Sequence, residues 1–140
     1  MSARDLYREA IKALAAAGTG HGRLDAPDGR ALLDNPLCGD RVEMEVKFAA
    51  GHIAALAHRV NGCLLCRAAA AVGQRAAGAS AEEIERVAAQ LTAMLEEQDP
   101  PPDGWTEFGA FAPVHGYRSR YGCVLLPVKT LLAALRAAGS

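Results

Sequence analysis

The chain has 140 residues, a formal net charge of -1, and 51% hydrophobic residues of which few are aromatic. That size suits a single domain over residues 1–140 with an aliphatic core, and the near-zero charge argues against a nucleic-acid binder. No run approaches the roughly 20 apolar residues of a membrane span, nor does a signal-like apolar run follow Met1, so a cytoplasmic location is expected.

Asp5 to Ala17 reads as an amphipathic helix, with Tyr7, Ile11 and Leu14 at helical spacing and Gly18 as its stop. Thr19 to Pro36 reads as a long, partly ordered loop with a short strand near Arg23-Leu24. Arg41 to Phe48 alternates strictly. Val42, Met44, Val46 and Phe48 share one face; Arg41, Glu43, Glu45 and Lys47 share the other, which predicts a half-buried strand. Ala49-Ala50-Gly51 turns, and Ile53 to Val60 returns as a second hairpin strand. Cys63 opens an Ala-rich helix to about Arg75, and Gly78 breaks it. Ser80 and Glu83 read as a capping box ahead of a helix whose stripe is Ile84, Val87, Leu91 and Leu95. Residues 99–122 read as irregular, anchored by Trp105, Phe108 and Phe111. A last helix holds Leu125, Val128, Leu131, Leu132 and Leu135. Pro127, which lacks an N–H, places its start near Cys123. The element order predicts an α+β domain: a small antiparallel sheet, about three-stranded, packed against several helices.

In the cytoplasm, four cysteines point to thiol, metal or catalytic chemistry rather than a disulfide framework. Cys38 sits in a turn before the strong strand; Cys63 and Cys123 sit at helix starts. Free N–H groups and the helix dipole there favour thiolate, so both are expected to have depressed pKa values. With Asp40, the three cysteines could converge on a tetrahedral zinc or iron site. Taken singly, each has a plainer reading. Gly39-Asp40 could be an ordinary turn, Cys66 and Cys123 could be small core residues, and Cys63 and Cys66 could be a redox pair. His21, His52, His58 and His115 form no i,i+4 metal pair, and His58 reads as surface or as satisfied core.

Asn35-Pro36-Leu37-Cys38-Gly39-Asp40, Gly62-Cys63 and Arg120-Tyr121-Gly122-Cys123-Val124-Leu125-Leu126-Pro127 together resemble the IscU/SufU (NifU N-terminal-like) iron–sulfur cluster assembly scaffolds. The resemblance runs from the first helix to the last. It implies a site of Cys38, Asp40, Cys63 and Cys123 holding a zinc ion or a nascent [2Fe–2S] cluster. It implies a cysteine desulfurase partner of the SufS/IscS type that delivers persulfide sulfur onto Cys123, and downstream cluster-accepting proteins. Gly122 stands where the IscU branch usually has His, the Ser80–Trp105 segment is long, and Arg120 matches an arginine typical of the SufU branch. The resemblance is therefore closer to SufU, whose members are similar to zinc-dependent sulfurtransferases. Arg120 would hold Asp40 or a site thiolate until the partner docks. Cys66 stands where the family usually has Ser, and Val128 where it usually has Trp. Leu126-Pro127-Val128-Lys129 echoes a chaperone-binding peptide of the IscU branch but follows Cys123 instead of preceding it, so no Hsp70 partner is expected. The alternative reading is a zinc-stabilised, non-catalytic partner-binding protein without sulfur transfer.

Overall fold

A computed structural model describes residues 8–139. The helix α1 spans Glu9–Ala17 and ends on Gly18 in the left-handed conformation. Arg8 is extended and caps the helix from outside, while the expected Asp5 to Tyr7 portion lies outside the described residues. Three strands follow: β1 (Gly29–Asn35), β2 (Asp40–Ala49) and β3 (His52–Asn61), joined as an antiparallel sheet in the order β1-β2-β3. Then come α2 (Leu64–Val72) with a 3-10 turn at Gly73–Ala76, α3 (Ala81–Glu97), 3-10 segments at Thr106–Gly116 and Arg118–Arg120, and α4 (Tyr121–Ala137). The architecture is the expected α+β, three strands against helices.

The alternation of β2 sets the layers. Val42, Met44 and Val46 are fully buried on the inner face, opposite Leu33, Ala31 and Gly29 of β1 and Val60, His58 and Leu56 of β3. The helix α4 lies against β1 and β2 on that face; α2 packs between α4 and α1, and α3 packs on α4. Leu65, Ile84, Leu91, Leu95, Phe108, Phe111, Leu131 and Leu135 complete an aliphatic core with a few aromatic anchors. Burial and the neighbouring His21 push the buried His58 imidazole down to about 4, so it is neutral at pH 7 and meets Gln74 Nε2 at 3.1 Å through Nδ1.

The outer face carries charge pairs across strands. Arg30 meets Glu43 at 2.7 Å, Arg41 meets Asp34 at 2.8 Å, and Arg59 also pairs with Glu43. Glu45, expected on the solvent side, is buried there because the 22–28 loop crosses it and Leu24 N–H donates to its carboxylate at 2.8 Å. That contact also corrects the expected strand near Arg23-Leu24. The Leu24 amide is spent on a side chain, and the strand of this region is β1 instead, six residues further on.

Two other expectations change. Within the expected irregular stretch, Thr106–Gly116 and Arg118–Arg120 are 3-10 helical, with Trp105, Phe108 and Phe111 buried as anchors. The last helix begins at Tyr121, so Pro127 is its seventh residue, in the second turn. Pro127 withholds the N–H that would pair with the Cys123 carbonyl, and the helix continues through it because both flanks are buried against the sheet. Elsewhere the reading holds. Ser80 caps α3 by accepting from Glu83 N–H at 3.2 Å, and Ile84, Val87, Leu91 and Leu95 are its buried stripe. Among the described residues no helix is long and apolar enough to cross a membrane.

Candidate metal centre

The cysteines and Asp40 meet at the end of the sheet where β1 passes into β2. The turn between those strands is held by Asn35. Its carbonyl accepts from Cys38 N–H at 3.3 Å and Gly39 N–H at 2.8 Å, and its Oδ1 accepts from Leu37 N–H at 3.2 Å. Gly39 adopts φ +75°, a conformation that costs an L side chain, and this swings Cys38 back over the sheet end. Asp40 is the first residue of β2, buried, and directly opposite Asn35 in the register.

Cys63 is the N-cap of α2. Its N–H donates to Asp40 Oδ1 at 2.8 Å, and its Sγ lies 3.4 Å from Oδ2. Gly62 makes this possible, since a Cβ there would come within 2.7 Å of Oδ1. Cys123 is the third residue of α4, fully buried, with its Sγ 3.3 Å from that of Cys38. Donor atoms of Cys38, Asp40 and Cys123 all lie within 4.8 Å of one another. Cys63 adjoins that trio through both Asp40 and the Cys123 thiol. Arg120 is half-buried at the border of α4, three residues before Cys123, with its N–H on Tyr117 O at 2.9 Å. Leu37 on the turn is 86% exposed, so the apolar tip of the motif faces solvent beside a thiol.

Protons are shared unevenly here. Burial works to raise the Asp40 carboxyl, but hydrogen bonds from Cys38, the Cys63 amide, Cys123 and Cys63 outweigh it and hold it below the usual value. The Cys63 thiol is brought down to about 7, chiefly by a hydrogen bond from Cys123, with the Cys66 amide helping against burial and Asp40. Cys123 moves the other way. Its hydrogen bond to Cys63, its burial and its contact with Cys38 all keep the proton on it. The expected depression is thus present at Cys63 and reversed at Cys123. One proton is shared between two thiols, and the second thiolate would sit against an anion already present. Burial pushes the thiol of Cys66 far up, and it is fully buried, so it is no nucleophile and the Cys63/Cys66 redox pair loses its second member.

Sequence reasoning placed Asn35, Gly62 and Gly122 in the motifs but gave them no part in building the site. A Cβ on Gly122 would come within 2.6 Å of Asn35 Nδ2. The signals were present, an Asn opening the cysteine turn and a glycine before each of two cysteines, but their meaning lies in contacts between distant segments.

An α+β fold with thiols and a carboxylate gathered at one sheet end defines a class, small domains that bring cysteines from separate elements to one site. No family model matches the chain. It is similar to the iron–sulfur cluster assembly scaffold protein IscU of Streptococcus pyogenes serotype M1, 34% identical over 82 residues. That stretch is 58% of this chain and 51% of that protein, so the match spans about half the curated relative's length. The crystal structure of a nitrogen-fixing NifU-like protein (N-terminal) from Brucella abortus superposes with a TM-score of 0.91 at 30% identity, covering 96% of this chain and 95% of the other. That of a protein described as an iron–sulfur cluster assembly scaffold for the SUF system, from Fervidobacterium islandicum AW-1, has a TM-score of 0.86 at 24% identity, covering 96% and 99%, a likeness of fold. The chain belongs to the IscU/NifU-like iron–sulfur cluster assembly scaffold family.

Proposed function

We propose that this protein accepts sulfur from a cysteine desulfurase of the SufS/IscS type and assembles it with iron as a [2Fe–2S] cargo for downstream acceptor proteins. The observation that carries the reading is the convergence of Cys38, Asp40 and Cys123 donor atoms within 4.8 Å, from a turn, a strand and a helix. Cys38, Asp40, Cys63 and Cys123 would be the ligands. Their chemistry suits either occupant. Tetrahedral zinc with bonds of about 2.3 Å places its sulfurs roughly 3.8 Å apart, close to the 3.3 Å between Cys38 and Cys123. A bound zinc ion would supply positive charge that keeps these thiols deprotonated.

Sulfur transfer needs no added oxidant. The Cys123 sulfur attacks the outer sulfur of the desulfurase persulfide; an S–S bond forms at Cys123, the donor's S–S bond breaks, and the donor cysteine leaves as thiolate. In the metal-free protein the proton rests on Cys123 rather than on Cys63, and on transfer it passes to the departing thiolate of the donor cysteine. Asp40 is the exchangeable ligand. Arg120 stands three residues from Cys123 in the position the SufU branch favours, and its role is to hold Asp40 or a thiolate until the partner docks. Gly122 supports the same branch.

Metal and acid-labile sulfide content of protein purified without oxygen tests the site. Zinc near one per chain without sulfide supports a sulfurtransferase-like acceptor, and iron with sulfide and a visible band supports a cluster scaffold. Neither, in a folded protein, defeats the shared site. The zinc-stabilised, non-catalytic alternative predicts that chelation melts the fold.

A further inference from the structure

Asn35 has a second property that its turn-forming role leaves unexplained. The residue is 9% exposed, and Nδ2 is buried without a hydrogen-bond partner among the described residues. The orientation of the amide is decided by chemistry. Leu37 N–H requires an acceptor, so the atom 3.2 Å from it is Oδ1, and the remaining end is the NH2 group. That end lies against Gly122, the residue before Cys123, where a Cβ would come within 2.6 Å of it. Through its carbonyl, Asn35 also holds the amides of Cys38 and Gly39. One residue therefore touches both segments that bring the Cys38 and Cys123 sulfurs to 3.3 Å. Buried donors are almost always paired, and an unpaired one at a site whose cargo arrives from outside marks a partner that arrives with the cargo.

We infer that Asn35 Nδ2 donates a hydrogen bond to the sulfur that Cys123 accepts, making Asn35 a positioning residue that retains the transferred sulfur. The inference rests on the sulfur-acceptor reading above. The terminal sulfur of a persulfide is an anion, and a preplaced N–H stabilises it over the free thiol state. Gly122 is part of the device, because any side chain there would displace the amide.

The test loads the full chain with a desulfurase and cysteine, removes the donor, adds a small-molecule thiol that takes the outer sulfur and frees Cys123 as thiolate, and follows the Cys123 persulfide by intact mass, with the Asn35 side-chain amide observed by 15N NMR. Asn35→Asp keeps an acceptor for Leu37 N–H and loses the donor; Gly122→Ala keeps the Asn35 amide and pushes Nδ2 out of its place. Expected are uptake in all variants, loss of the sulfur about tenfold faster than in the wild type, as one charge-assisted hydrogen bond sustains, and a downfield shift of the wild-type Asn35 amide on loading. Equal persulfide half-lives with an unmoved amide overturn this inference and leave the acceptor reading intact. A wild-type chain that takes no sulfur overturns both. Should the variants unfold, the wild-type amide shift alone decides.

Discussion

At the start of α2, Gly62 lies against the side chain of Asp40; at the start of α4, Gly122 lies against that of Asn35. The two side chains face each other as register partners at the end of β1 and β2, and each glycine is followed by a cysteine. Beyond that the two helix starts diverge. The Asp40 carboxylate is bonded to both the amide and the sulfur of Cys63, whereas the Asn35 donor is unpaired. Cys63 sits at the helix cap with its thiol drawn down, and Cys123 sits two residues inside its helix, fully buried and holding its proton. A helix N-terminus by itself therefore does not decide a thiol's ionisation. What decides it is which neighbour shares the proton.

Four experiments bear on this contrast. The largest effect is expected from Cys123→Ser, which abolishes persulfide formation by intact mass. Cys63→Ser should weaken metal retention and leave sulfur uptake measurable, and equal abolition by both would erase the difference between the helix starts. Next, Asp40→Ala removes the oxygen ligand and should give a cluster that bleaches more slowly in air; faster bleaching would show that the carboxylate holds the cargo rather than releasing it. Third, in metal-free protein, alkylation at Cys63 should rise as pH passes about 7, because its depressed pKa makes thiolate abundant above that point and scarce below it, while Cys123 stays slow across the same range. Peptide mapping that finds Cys123 modified first would reverse the assignment. The smallest effects are on stability. Gly62→Ala crowds a fully bonded carboxylate and should cost about 1–3 kcal/mol by denaturant unfolding. Gly122→Ala crowds a freer amide and recovers up to about 1 kcal/mol of helix propensity, so its loss should be smaller.

Much of this was readable in the sequence because local patterns agreed with the fold. The inward face of Val42, Met44 and Val46, the Ser80 cap and the turn around Cys38 each appear as expected, and the resemblance named Cys38, Asp40, Cys63 and Cys123 as one site. β1 escaped because Gly29-Arg30-Ala31-Leu32-Leu33-Asp34-Asn35 offers only a weak period; Leu32 is half-exposed, and the strand exists through its pairing with β2. Pro127 misled because a rule about isolated helices gave way to burial on both sides of the residue. The protonation of Cys123 was out of reach for a different reason: it depends on the thiol of Cys63, on burial and on the thiol of Cys38, brought together from distant parts of the chain.

The pairing of Asn35 with Asp40 has a consequence for which insertions the chain can tolerate. Side chains alternate faces with a period of two, so one residue added within β1 would turn the position of Asn35 or its neighbours to the opposite face. The same addition in the Pro36–Gly39 turn would change only how Cys38 is carried. Strand length thus acts as a gauge for the thiol cluster, and natural length variation in this region belongs in the turn, not in the strand beside it.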